Sequence, residues 1–249
     1  MNTHRLPCPN TFARFIGLSM LAAVALGSSF MTQASVIITG TRVVYPADQK
    51  EVTIRFENKN QKPALVQVWL DTGDEGVLPE KARVPFLATP PIFRMEPGKQ
   101  QVVRLAYTGE PLPTDKESLF WLNMLEVPPK AQDAPESNQL QLAFRTRIKV
   151  FFRPKELPYQ PSQAAQKLRW NLVPSEHGQA LHVHNPTPYH LNFDSDALPI
   201  WHRTWSNPMT DNRFPLPSLK AAPKGEAWVE FQTIDDYGAR HSHKAQVTP

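Results

Sequence analysis

Cysteine is almost missing from this chain: Cys8 is the only one in 249 residues, and it lies in an N-terminal stretch that reads as a leader. No internal disulfide can form, so core packing alone has to hold the fold, which chains long enough for two ordinary domains can manage. Glycine is scarce at 10 residues. No Gly-x-Ser-x-Gly elbow and no phosphate-cradling glycine loop is present, which removes the commonest nucleophile and nucleotide motifs. Phe15 to Phe30 is the one extended apolar stretch, shorter than the ~20 residues that cross a bilayer. With Arg5 and Arg14 before it, no acids, and Thr32-Gln33-Ala34 closing it, residues 1–34 are expected to be a cleaved secretory signal. The mature chain then has no membrane anchor. It also lacks a charge imbalance, since two of the 27 basic residues leave with the leader against 23 acids. Near neutrality argues against a nucleic-acid partner.

Proline, at 26 residues, sits mainly between short β-rich segments. These segments are 35–44, 51–58, 64–70, 100–107 and 118–127, separated by turn signals such as Asn58-Lys59-Asn60 and Glu96-Pro97-Gly98. About seven strands at this spacing, with no helical period, predict an antiparallel sandwich. The prolines of Leu157-Pro158-Tyr159-Gln160-Pro161 cannot continue a central strand. We therefore expect an N-terminal domain over 35–156 and a smaller second sandwich over 157–249, with strands near 168–173, 180–184, 190–193 and 227–234.

One segment is too long for its domain. From Asn138 to Pro154, Leu140, Leu142, Phe144, Ile148, Val150 and Phe152 share one parity, and Gln141, Arg145, Arg147, Lys149 and Arg153 share the other. Period two of this quality predicts a strand, which at ~3.3 Å per residue would reach roughly 50 Å. A domain of about 100 residues has a radius of gyration near 13 Å. Part of the strand should overhang, and an apolar overhanging edge is a template for another chain. The local concentration of basic residues points to a specific anionic contact.

Candidate catalytic chemistry is thin. Leu70-Asp71-Thr72-Gly73 spells the aspartic-protease triplet, but in one copy, so the shared-proton dyad would need a homodimer; an acidic, solvated turn is the better reading, and Asp71→Ala should be tolerated. His182 and His184 share a strand face, with His190 or His202 as further candidate ligands, yet surface or interstrand histidines fit better. No metal, cofactor or enzymatic activity is expected. Arg42, alone between apolar neighbours, and Lys149, between Ile148 and Val150, remain. Convergence in a cleft would make them a receptor for an external carboxylate.

Several separated segments resemble the periplasmic chaperones of the chaperone-usher pilus pathway. They are Thr41 to Pro46, Thr89-Pro90-Pro91-Ile92-Phe93-Arg94, Glu117 to Asn123, Leu140 to Pro154, Asn185-Pro186-Thr187-Pro188-Tyr189 and Thr233-Ile234-Asp235-Asp236-Tyr237-Gly238, in family order. The resemblance implies an all-β chain of two immunoglobulin-like domains set at an angle around a cleft. It implies that Arg42 and Lys149 anchor the C-terminal carboxylate of a pilin subunit, and that Leu140, Leu142 and Phe144 enter the subunit's incomplete sandwich as a donor strand. An interdomain ionic contact of Glu117, Arg153 and Asp236, delivery to an outer-membrane usher and a periplasmic location are implied in the same way, while self-association of the free chaperone stays open. The short segment 128–138 resembles the short-loop branch. An exported carbohydrate-binding or adhesion sandwich is the alternative, with Trp201 and Trp205 as its loop aromatics.

Overall fold

The structure, a computed structural model, describes residues 35–129, 142–176, 178–194, 205–216, 218–223 and 225–248. The expected leader, Leu140, Trp201, His202 and most of segment 128–138 lie outside the described residues. Nine strands make the first lobe: β1 (Val36–Ile38), β2 (Arg42–Pro46), β3 (Glu51–Asn58), β4 (Ala64–Asp71), β5 (Phe86–Thr89), β6 (Ile92–Met95), β7 (Gln100–Tyr107), β8 (Ser118–Val127) and β9 (Phe144–Arg153). They form two sheets, ordered β1-β3-β7-β5 and β2-β9-β8-β4-β6. Alternation decides which side chains meet between them: Ile54 and Phe56 of β3 point inward while Thr53 and Arg55 face water, as half-buried strands require.

Aromatic packing replaces covalent staples in this core. Phe86 packs against Phe120 at 4.9 Å between ring centroids and against Tyr45 at 5.4 Å, while Tyr107 meets Phe152 at 4.7 Å. Such pairs add to the burial of large rings. The buried Tyr45 hydroxyl is satisfied by donating to the Lys50 carbonyl at 2.9 Å and accepting from the Tyr107 N–H at 3.1 Å.

The segment expected as one strand over 35–44 is two. Gly40, at φ +96°, turns the chain in a conformation that L side chains rarely adopt. β1 therefore joins the β3 sheet, and β2 crosses to lie parallel to β9. That crossover brings Arg42 beside Lys149.

The second lobe contains β10 (Arg169–Ser175), β11 (Gly178–Asn185), β12 (Leu191–Phe193), β13 (Trp205–Ser206), β14 (Thr210–Leu216), β15 (Ala227–Ile234) and β16 (Arg240–Thr248). Hydrogen bonds link them as β13-β12-β15-β16-β10-β11-β14. Phe193 of β12 and Phe214 of β14 are far apart in that order, yet their rings are 6.2 Å apart; the sheet folds over its own apolar face around Trp170 and Phe231. Sequence reading misses β13, β14 and β16. β14 carries Pro215, which is tolerated because β14 is an edge strand. β16 buries only Val247 fully, so it shows little apolar alternation.

Candidate functional site

The parallel pairing of β2 and β9 places Arg42 directly beside Lys149, and Val43, Val44 and Tyr45 beside Val150, Phe151 and Phe152. On the second lobe, Asn192 of β12 is the register partner of Ile234 of β15. These two pairs meet. Arg42 Nη1 donates to the Ile234 carbonyl at 3.0 Å, and Lys149 Nζ donates to Asn192 Oδ1. Around them opens a cleft of about 150 Å³ bordered by Thr41, Trp121, Ile148 and Phe193.

Both cations are held at a cost. Burial, then the nearby Arg42 charge, lowers the Lys149 pKa to about 7. Burial also lowers that of Arg42, with Asp236 and Asp235 acting against the shift. An anion arriving in the cleft relieves both penalties, because it favours the charged forms.

A second cluster joins the lobes below the cleft. Arg153, at the end of β9, meets Glu117 Oε1 through Nε at 2.6 Å and grips Asp236 with Nη1 and Nη2 at 2.7 and 2.9 Å. Burial opposes the Arg153 charge, but the hydrogen bonds and charges of Asp236 and Glu117 outweigh it and raise its pKa. Glu117 is also bound from the second lobe: its Oε2 accepts the His190 N–H at 2.8 Å, and its own N–H donates to the Pro188 carbonyl at 2.9 Å. The loop that presents these groups is held by Asn185, whose Nδ2 donates to the Tyr189 and Asn207 carbonyls. Of the residues singled out for an interdomain contact, Arg153 is thus within bonding distance of both Glu117 and Asp236.

The long strand divides. β9 pairs with β8 from Phe144 to Phe152 but with β2 only from Lys149 to Arg153, which leaves one edge of residues 144–148 open among the described residues. On a single parity, Phe152, Val150 and Ile148 are buried in the first core, whereas Phe144 and Leu142 are 56% and 53% exposed. Leu142 precedes the first residue of β9, and Leu140 lies outside the described residues.

One expectation needs correction, that of Asp71; the specific anionic contact expected of the basic residues on β9 is internal for Arg145 and Arg147. Arg147 reaches Asp71 at 2.7 Å and Arg145 at 3.5 Å. The same two side chains lie over Trp121 and Trp69, at 4.8 and 4.9 Å. Asp71, expected in a solvated turn, is 1% exposed. It does start a turn, accepting the Gly73 N–H at 2.7 Å, but as the last residue of β4 it faces Asn123 and Arg147 across the sheet, and Asn123 Nδ2 donates to it at 2.7 Å. His182 and His184 contact Asp211 of the neighbouring β14, and no group of three or more His, Cys, Asp or Glu among the described residues is placed to hold a metal ion. Sequence reading misses Asn192 and Trp121 as site residues, and it treats His190 only as a candidate ligand; the polar Asn192 between Leu191 and Phe193 is the available signal.

Two sandwiches clamped by ions, with a cationic cleft between them and an open apolar edge leading from it, define a two-domain immunoglobulin-like chaperone. The chain belongs to the pilus-assembly chaperone family: residues 35–158 match the Pili and flagellar-assembly chaperone, PapD N-terminal domain, and residues 163–245 the Pili assembly chaperone PapD, C-terminal domain. It is similar to the probable fimbrial chaperone YadV of Escherichia coli K12, with 43% identity over 92% of this chain and 96% of the relative. The chaperone protein FimB/FhaD of Bordetella pertussis is 40% identical over 93% and 94%. The solved YadV chaperone superposes with a TM-score of 0.70 at 39% identity, covering 86% of this chain and all of that one. The SafB chaperone, solved with the SafA pilin of Salmonella enterica, gives 0.71 at 29% identity over 88% and 98%.

Because Asp71 neutralises guanidinium groups packed on tryptophan, Asp71→Ala should lower stability by about 1–3 kcal/mol, contrary to the tolerance expected from sequence. An unchanged denaturant midpoint would contradict this.

Proposed function

We propose that this chain is a periplasmic, non-enzymatic chaperone that holds the C-terminal carboxylate of a pilin subunit between Arg42 and Lys149. It completes the subunit's sandwich with the strand around Leu140, Leu142 and Phe144, then passes the subunit to an outer-membrane usher. The observation that carries this reading is the register placing Arg42 beside Lys149 at the inner end of the open β9 edge. The structure of SafB with a pilin supports it. The leader expected at residues 1–34 supports the location; among the described residues no helix is long and apolar enough to cross a membrane. The short segment 128–138 fits the short-loop branch.

The reading also implies a direction for the client strand. β9 runs from Phe144 toward Lys149, and a client whose last residue sits at Lys149 runs toward it along the same edge, so the two strands pair in parallel. Main-chain bonds along residues 144–148 supply affinity, and the exposed Leu142 and Phe144 fill pockets that a one-residue slip would empty. The Arg153 cluster orients the lobes so that the cleft stays open; its net contribution to stability is secondary. Before capture, the same open edge permits self-association.

Arg42→Ala or Lys149→Ala should leave the chaperone folded but weaken capture of a client pilin by about 10- to 100-fold each, the value of a charge-assisted bond. A double variant that captures pilin like wild type sinks the anchor. Leu142→Glu should weaken capture about tenfold or more by bringing a charge into an apolar pocket; full affinity would place that side chain outside the interface. Capture should also depend on pH. In the unliganded chaperone Lys149 loses its charge above about pH 7, while the bound carboxylate favours the charged form, so affinity should fall as pH rises from about 7 to 9, approaching tenfold per unit. Affinity flat across this range would mean that Lys149 does not meet the carboxylate.

A further inference from the structure

We infer that Asn192 is a positioning and selectivity residue of the carboxylate cleft, holding Lys149 through a neutral oxygen so that the ammonium is oriented while its charge is kept for the client. This rests on the carboxylate-anchor reading above. The contact is built in: Asn192 is buried, fixed on β12 as the register partner of Ile234, and its Oδ1 accepts from Lys149 Nζ. The matching contact at Arg42 is also to a neutral oxygen, the Ile234 carbonyl. The second lobe therefore presents an acceptor without charge to each cation.

Acids lie close to the cleft but, among the described residues, none lines it, and each has a bonded partner of its own. Asp194, two residues after Asn192, meets Arg240 at 2.6 Å. Asp235 binds His241 at 2.8 Å and its own turn through the Tyr237 and Ala239 N–H groups. Asp236 and Glu117 hold Arg153. An aspartate at position 192 would have the same shape as asparagine, and it would pair with the buried ammonium as an internal carboxylate, competing with the client for the same charge. The amide gives orientation without competition, and the Arg153 cluster sets the lobe geometry that lets it reach.

The test compares two clients across two chaperones. A pilin captured by the wild-type chaperone is prepared with its free C-terminal carboxylate and with a C-terminal amide, and each is diluted from denaturant into wild-type or Asn192→Asp chaperone. Wild type should lose about 10- to 100-fold in affinity on amidation. Asn192→Asp should bind the carboxylate client at least about tenfold more weakly, bind the amide client nearly as wild type does, and so show a much smaller amidation penalty. That shrinkage is a coupling a general folding defect cannot produce, because such a defect weakens both clients alike. Asn192→Ala, which removes orientation without adding charge, should weaken the carboxylate client while leaving the chaperone folded. If amidation costs wild type its affinity and Asn192→Asp leaves that cost unchanged, or weakens both clients equally, the role of Asn192 is overturned and the anchor stands. If amidation costs wild type nothing, the anchor itself falls, and this inference with it.

Discussion

Everything in the cleft follows from one unfavourable arrangement, two cations side by side in a parallel strand pair. Like charges at facing positions repel, and burial adds to the penalty on Lys149. The fold bears this because the surroundings share the load: Lys149 lies 5.5 Å from the Trp121 ring, the face that attracts cations, and neutral oxygens of the second lobe accept from both side chains. A site paired with its own acids would be more stable and would have less to offer a carboxylate.

Orientation is the second requirement, and Arg153 meets it. By holding Glu117 of the first lobe and Asp236 of the second, it fixes the lobes so that Asn192 and Ile234 face Lys149 and Arg42. Its acids bond Arg153 in the process, and Asp236 reaches the cleft only through its charge on Arg42. The cationic ladder of β9 is sorted in the same manner: Arg145 and Arg147 go to Asp71, Arg153 to the interlobe joint, and Lys149 to the cleft.

Much of this is legible in the sequence where local pattern carries it. The alternation of β9 yields both its strand and its overhang, since parity depends only on neighbours in the chain. The strand break at Gly40 is not legible, because a positive φ leaves no mark beyond a glycine. Asp71 is misjudged because turn residues look solvated in one dimension, and its burial depends on Asn123 and Arg147, which only sheet register brings to it. Asn192 escapes notice for a related reason: its partner belongs to the other domain.

The penalty on the buried cations has a sign in pH. Lys149 has an ordinary pKa of 10.5, lowered to about 7 in the folded chain, so between those values the unfolded chain binds more protons. Its contribution to stability therefore improves as pH rises through that window, and the destabilisation is complete below about 7. A client carboxylate favours the opposite protonation state, so stability and capture pull in opposite directions at one side chain, as expected where a functional group is kept under strain. The central claim is that a client carboxylate enters the cleft and recharges Lys149. Calorimetry of pilin capture at about pH 8, a unit above the folded-state value, in two buffers of different ionisation enthalpy measures the protons taken up. The account predicts uptake of close to one proton per complex, abolished by Lys149→Met; capture with no proton uptake would contradict it.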